Sequence, residues 1–564
     1  MESNANYFLF KFLMMLKKSI CLSVLILYIL SSCAQQTIED YIGEWEGKTE
    51  IKNALNLEIS IKKLNGTDAV FTLSNNKKIV TKDFRFGKKI NVILDKNFIF
   101  SGIVNNEQSE ISGFIKSKGN LFPTKLVKEG DRFLGKWNLS VFHYLQSQSL
   151  RLIIKESNTP NEEYPAYPIL GSLWCNDFKK NKNAISFVDY KTGLEFEGQL
   201  KPSEIILNIS LGGKFITKTS FKRRTESTKN HSNSVQENLQ INDGWKSSKN
   251  PLILKKMEED IHNGDLIGIE GALVAKKGKI TYEKYFAGFN AAIPHDTRSA
   301  SKSVSSAIIG IAIDDKIIES VDQSLYDFIP KEYQYTKDTL KAKITIKDLL
   351  TMSSGLDVNK AASEDYYQES SNWLKTVLEA PMVKAPGTYT DYGSANPFLL
   401  GIYLNERLDV PLEFYMQDKF FSPLGITNYI LNTDDKESAP YFGGGFRLTP
   451  RDLLKFGQLY LNKGIWKGRQ IISEAWVEES FKKHTRLQDV KDKNEYGYFW
   501  WHDNYMINGK SVQSIEARGA GGQLIIVIPK LESVVVITAG NYRNGKWSHS
   551  RKLFKEYILP VLLN

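Results

Sequence analysis

Between residues 38 and 224 hydrophobic and polar positions alternate in short runs. Leu57-Glu-Ile-Ser-Ile-Lys62, Ile90-Asn-Val-Ile-Leu94 and Ser149-Leu-Arg-Leu-Ile-Ile154 have period-two or buried-strand character, broken by Asn, Gly and Lys turns. The pattern also repeats. Tyr41-Ile-Gly-Glu-Trp45 is answered by Phe133-Leu-Gly-Lys-Trp137, and Phe100-Ser-Gly102 by Phe196-Glu-Gly198. Each unit closes with a glycine turn and a last strand, Gly119 to Val127 and Gly212 to Phe221. Two tandem all-β units, small barrels or sandwiches, are expected over 34–130 and 131–224.

The texture then changes. Residues 225–250 are polar and almost free of aliphatic side chains before Leu239, which marks a linker. Ala272-Leu-Val-Ala275 and Ile280-Thr-Tyr282 flank a Lys-Lys-Gly-Lys turn and predict a hairpin. Amphipathic helices follow, and the chain closes on two apolar strands, Gln523-Leu-Ile-Ile-Val-Ile528 and Ser533-Val-Val-Val-Ile-Thr538, and a last helix. Strands at both ends with helices between predict one α+β domain over 251–564, its sheet assembled from the two ends.

Composition narrows the class. The 564 residues are 41% hydrophobic, 24% charged and 12% aromatic, which excludes disordered, collagen-like and low-complexity chains. Lysine and arginine exceed the acids by 74 to 64, but the excess is spread along the chain. Lys222-Arg-Arg224 is the densest cluster, and no basic stripe with interleaved aromatics exists, so nucleic acid is not an expected partner. Of the three cysteines only Cys175 lies in the folded body, and no Cys/His group has zinc spacing. Neither a disulfide framework nor a metal or other cofactor is implied.

Ile20 to Leu30 is almost wholly apolar and follows Lys17-Lys18. Eleven helical residues rise only about 17 Å, short of a hydrocarbon core of about 30 Å, so the run reads as an export signal rather than a membrane span. Translation starting at Met14 or Met15 would shorten its long preamble. Leu30-Ser-Ser-Cys33 resembles a bacterial lipoprotein box, which implies lipidation of Cys33 and a periplasmic or cell-surface lipoprotein; cleavage after Ala34 would give a soluble exported form. The Gly-x-Trp openings of the two β units are similar to the lipocalin start. That resemblance allows a ligand cup, but small barrels are usually filled by their own side chains, so Trp45 and Trp137 are expected to plug the barrel bottoms.

The chemistry lies in the α+β half. Arg298-Ser-Ala-Ser-Lys302 leads into apolar positions Val304, Ala307, Ile308, Ile311 and Ala312, the spacing of an amphipathic helix. Ser299 and Lys302 are three apart and share a face at its start. A serine hydroxyl needs a neighbouring base to become a nucleophile, and a desolvated lysine can be that base. Ser-x-x-Lys recurs at Ser60, Ser74 and Ser480, but only the Ser299 copy opens such a helix. No Gly-x-Ser-x-Gly elbow is present.

Further motifs follow in order: Ile344 to Leu356, Pro386-Gly-Thr-Tyr-Thr-Asp-Tyr392-Gly-Ser394 with Leu399-Leu-Gly401, Gly443-Gly-Gly-Phe-Arg-Leu-Thr-Pro-Arg-Asp452, Tyr496-Gly-Tyr-Phe-Trp-Trp501 and Gly519-Ala-Gly-Gly-Gln523. The set resembles serine hydrolases related to class C β-lactamases and penicillin-binding D-Ala-D-Ala peptidases, nearest the branch of 6-aminohexanoate-oligomer hydrolases and related esterases. The resemblance covers roughly 250–564 and implies a β-lactamase/transpeptidase-like fold, with an antiparallel sheet and a helical subdomain. It implies Ser299 as acylated nucleophile, Lys302 as its base, Tyr392 as a proton shuttle, and the backbone N–H groups of Ser299 and Ala520 as oxyanion hole. A phenol beside an ammonium would be drawn towards phenolate, so Tyr392 and Lys302 are expected to share a proton. Glycines 519, 521 and 522 would allow close approach of backbone and substrate.

Two positions depart from the pattern. Ser394 stands where Asn is usual, and Ala517 stands where Lys or His usually precedes the strand glycine Gly519. Arg518 could substitute for that cation in substrate binding, but strand alternation would turn it away. Lys191-Thr-Gly193 lies in the second β unit, before the nucleophile, and is read as coincidence. His295, His484 and His502 are read as surface or packing residues, while Arg447, Trp500 and Trp501 are candidates to line the cleft. The expected function is acyl transfer from a small-molecule or peptide-like amide or ester to water. Its alternatives are a D-Ala-D-Ala peptidase or β-lactamase proper, and a non-catalytic envelope lipoprotein that binds ligand.

Overall fold

In a computed structural model residues 251–563 are described with few interruptions and 38–223 mainly through their strands. The apolar segment before Cys33, Cys33 itself and the 225–250 linker lie outside the described residues. The alternating runs do form antiparallel strands, but the pairing crosses the repeat boundary. Strand β1 (Gly43–Lys48) opens the first repeat, β2 (Leu57–Leu64) follows it, and β3 (Asn120–Glu129) closes it. Strand β4 (Arg132–Trp137) opens the second, followed by β5 (Ser149–Ile154) and, at its end, β6 (Lys214–Arg223). Yet β1 lies between β5 and β6, and β4 lies between β2 and β3.

The two Gly-x-Trp strands are thus exchanged. Their similar sequences let either strand close either array. The turn at Gly130 (φ +63°) folds β4 straight back on β3, pairing Arg132 with Glu129, so the nearer array captures it. The strand left to the second array is β1, held there by Trp45. Trp45 is buried, donates from Nε1 to the Tyr41 carbonyl at 2.9 Å, and is covered by the Arg223 guanidinium at 4.7 Å. Phe187 and Phe196, stacked at 4.8 Å, and buried Leu207 and Phe221 fill the same array. The side chain of Trp137 lies outside the described residues.

The C-terminal half has the expected sheet from both ends of that segment. Among the described residues, β7 (Ile269–Lys276) and β8 (Lys279–Tyr285) form the hairpin, and β7 pairs with the last strand of the chain. Short β9 (His295–Asp296), β10 (Tyr429–Asn432) and β11 (Phe446–Leu448) come next. The C-terminal strands are β12 (Trp501–Ile507), β13 (Lys510–Gly519), β14 (Gln523–Ile528) and β15 (Ser533–Ala539). The sheet runs β8-β7-β15-β14-β13-β12 before two short strands, and all its pairings are antiparallel. Strands β14 and β15 are buried at every position, because helices cover both faces.

The N-terminal strands do not stand apart. The first residues of β3 pair with β10, Leu121 opposite Leu431 and Asn120 opposite Asn432, so one sheet runs from β9, β11 and β10 into the first array. Asn432 donates from Nδ2 to buried Asn120 Oδ1 at 2.7 Å, and Phe114 packs edge-on against Phe414 at 5.2 Å. Phe114 and Leu121 thereby join the core around the central helix. That helix, Ser301–Asp314, departs from its amphipathic pattern: Ser301 through Ala312 are all buried. Among its polar positions, Ser303 donates to the Phe499 carbonyl at 2.6 Å and Ser305 to the Ser301 carbonyl of its own helix at 3.2 Å.

Candidate active site

Ser299 sits in the 3-10 turn Arg298–Ala300 that runs into the central helix. The turn begins with Arg298 at φ +50°, a left-handed conformation unusual for a side chain of this size, and Arg298 Nε bonds Asp296 at 2.7 Å. This bend brings Ser299 to a partly exposed position while Lys302, one turn on, is 1% exposed. Lys302 Nζ lies 2.9 Å from Ser299 Oγ and 3.0 Å from Ser394 Oγ, and donates to the Gly443 carbonyl. Burial pushes Lys302 from the ordinary 10.5 down to about 8, while the Glu364 carboxylate pulls the other way. Neutral lysine is therefore accessible near physiological pH.

Tyr392 joins them from a separate loop. Its ring centroid is 5.5 Å from Lys302 Nζ, and it packs on Trp501 at 5.1 Å and on Tyr496 at 6.3 Å. The loop is pinned on both sides. Tyr392 donates its backbone N–H to Asp489 at 2.9 Å, and Asp391 donates its own to the Met352 carbonyl at 2.9 Å. Met352 follows a short helix fixed by a capping box: the Asp348 N–H donates to Thr345 Oγ1 at 3.1 Å, and the Thr345 N–H to Asp348 Oδ2 at 2.9 Å. The Ile344–Leu356 motif is thus a brace for the tyrosine loop. The expected phenolate is corrected: desolvation raises the Tyr392 pKa well above 10, and its hydrogen bond with Ser299 only partly offsets this. The Glu364 and Asp489 carboxylates push the same way as burial, so the phenol stays protonated.

Strand β13 brings the last element. A Cβ on Gly519 would fall 2.3 Å from the Thr297 carbonyl oxygen, so only glycine lets the strand end lie against the turn that carries Ser299. Gly521 and Gly522 follow at φ +88° and +99°, and Ala520 is exposed at the lip beside them. Arg518 does not reach out as a substrate cation. Its Nε bonds Glu516 at 2.7 Å, its Nη2 bonds Asp503 at 2.5 Å, and its side chain is 14% exposed. Ala517, at the usual cation position, is fully buried.

The histidines stay outside the cluster. His295 Nδ1 pairs with buried Glu270 at 2.8 Å, His484 stacks on Tyr498 at 4.2 Å, and burial holds His502 down to about 4. Of the tandem tryptophans, Trp500 is core, stacked on Phe456 at 5.6 Å, and only Trp501 meets Tyr392. Arg447 is buried in β11.

One participant has no sequence motif. Ser394 donates from Oγ to Glu364 Oε2 at 2.9 Å, and Glu364 Oε1 accepts from the Tyr441 hydroxyl at 2.7 Å. Glu364 begins the short helix Glu364–Glu369 in the stretch between recognisable motifs, where no spacing rule singles it out.

Comparison with known proteins places the C-terminal half in a family. The profile of the family described as Beta-lactamase matches residues 255–550. The 6-aminohexanoate-dimer hydrolase of Paenarthrobacter ureafaciens is 22% identical over 286 residues, which cover 47% of this chain and 70% of that protein. Among solved structures, a family VIII carboxylesterase overlays with a TM-score of 0.44 at 14% identity, covering 54% of this chain and 97% of the other. A penicillin binding protein from Bacillus halodurans gives 0.41 at 19%, covering 53% and 98%.

Proposed function

The chain belongs to the beta-lactamase family, whose members are serine hydrolases acting on amides, esters or peptides, and from that premise we propose that it cleaves an amide or ester through an acyl-enzyme on Ser299. The observation that carries the reading is the buried Lys302 amine 2.9 Å from the Ser299 hydroxyl with its pKa lowered to about 8. In this mechanism neutral Lys302 takes the proton as Ser299 Oγ attacks the carbonyl carbon. The backbone N–H groups of Ser299 and Ala520 stabilise the oxyanion. Tyr392, kept protonated by burial, gives its proton to the leaving group and is reprotonated by way of Lys302. Water then attacks the acyl-enzyme, passing its proton through the same pair, and Ser299 leaves with one.

Ala517 and the fully engaged Arg518 favour a substrate with no carboxylate at that end of the cleft. That argues for neutral amides and esters over β-lactams and D-Ala-D-Ala peptides. Export, with lipidation at Cys33, and lipocalin-like filled β units that serve as a support belong to the same proposal. The test is turnover of p-nitrophenyl acetate and butyrate by the wild type beside Ser299→Ala. Activity that vanishes in the variant is the expected outcome, and equal rates in both would overturn the assignment.

A further inference from the structure

The Ser394 hydroxyl has a single proton, and it goes to the Glu364 carboxylate, an acceptor only, at 2.9 Å. Towards Lys302, 3.0 Å away, Ser394 therefore presents a lone pair, and the Gly443 carbonyl does the same. Both demand N–H donors. A neutral amine has two N–H bonds and one lone pair, and those two bonds are now spent. The one remaining direction, towards Ser299 Oγ at 2.9 Å, is left to the lone pair. A base needs that orientation to accept the serine proton.

Resting on the reading of Ser299 and Lys302 as nucleophile and base, we propose that Glu364 is a positioning residue, which fixes the direction of the relay Glu364–Ser394–Lys302 so that the lysine lone pair faces the nucleophile. Glu364 is held by Tyr441, which donates to Oε1 and is bonded in turn to the Tyr367 hydroxyl, and by Gln368 at 3.4 Å. The groups facing Lys302 are Ser299, Ser394, the Gly443 carbonyl and the Tyr392 ring, and Asp489 and Arg518 act on Tyr392 beyond it. Glu364 is the carboxylate whose charge favours the lysine ammonium. In Glu364→Gln, Tyr441 continues to hold the amide oxygen, which turns the amide nitrogen onto Ser394. The serine proton then swings to Lys302 and draws its lone pair away from Ser299.

The experiment follows phosphonylation of Ser299 in the full chain by a fluorophosphonate across pH 6 to 10. In this reaction the Oγ–P bond forms, the P–F bond breaks, fluoride leaves and the serine proton passes to Lys302. Relative to wild type, Glu364→Gln moves the midpoint of the rate profile to lower pH, because the charge that favoured the ammonium is gone. It also lowers the high-pH plateau about tenfold, the scale of one hydrogen bond lost from the transition state. Glu364→Gln/Ser394→Ala reacts no slower than Ser394→Ala alone, since Glu364 directs the lysine lone pair only through Ser394 and its remaining charge effect favours the ammonium. A wild-type profile in Glu364→Gln, an equal loss at every pH with the midpoint fixed, or multiplying losses in the double variant would overturn the proposal. Should Glu364→Gln fail to fold by circular dichroism, Ser394→Ala breaks the same relay, and a wild-type profile there overturns it equally. Failure of wild-type Ser299 to be labelled at any pH removes the acyl-enzyme reading and this one with it. Labelled wild type with unshifted variants removes only the role of Glu364.

Discussion

Replacing Lys302 by methionine should abolish turnover and, at neutral pH, relieve the fold of a burden. The lysine is 1% exposed, and burial lowers its pKa from 10.5 to about 8. Below pH 8 the folded protein must hold an ammonium where a neutral amine is preferred, at a cost of about 3 kcal/mol relative to the unfolded chain. The sign follows from proton counts. Between pH 8 and 10.5 the unfolded state binds more protons than the native state, so wild-type stability rises with pH in that window. The penalty is complete below the folded pKa and vanishes above the unfolded one. Methionine keeps the stem's packing but leaves the Gly443 carbonyl without its donor, an opposing loss of about 1–3 kcal/mol that does not vary with pH. The decisive quantity is therefore a slope. Urea unfolding of both proteins at pH 7 and pH 9.5 should show the stability of Lys302→Met relative to wild type falling by about 2 kcal/mol between the two. A difference that stays constant with pH would refute the reasoning, because it would mean that Lys302 titrates alike in the folded and unfolded chain.

Two further outcomes test the frame around the site. Gly519→Ala places a methyl 2.3 Å from the Thr297 carbonyl oxygen, so the strand must retreat from the turn that carries Ser299. It should lower kcat/KM about a hundredfold at modest cost in melting temperature, and full activity would show that strand β13 plays no part in the chemistry. Asn120→Ala removes the Oδ1 acceptor of the buried Asn432 amide at the junction of the first β array with the hydrolase half. It should cost about 1–3 kcal/mol in urea unfolding followed by tryptophan fluorescence, and wild-type stability would contradict a shared sheet.

Much of the site was legible along the chain because its signals are local. Ser299 and Lys302 lie one helical turn apart, Tyr392 and Ser394 two residues apart on one loop, and the glycines of 519–522 mark a close approach of backbone. Glu364 was not, because its role arises from a hydrogen bond to a residue 30 positions later and its own surroundings resemble any solvated helix start. Strand alternation pointed to Arg518 turning away but not to its acidic partners, and the division of labour between Trp500 and Trp501 was hidden, since nothing local says which side is core.

The N-terminal half shows the same division. Alternation and repetition specified strands and two similar units, as period-two patterning does wherever one face is buried. They did not specify partners, because β1 and β4 carry nearly the same pattern and either could close either array; the short Gly130 turn and the packing of Trp45 decided the exchange. The residues proposed for acyl transfer and the segments that form strand or helix could be picked out along the chain, because those depend on side-chain chemistry and short-range periodicity. The tertiary structure decided which strands pair, where protons lie and which charges are spent, because burial and hydrogen-bond direction depend on segments that meet only when the chain is folded.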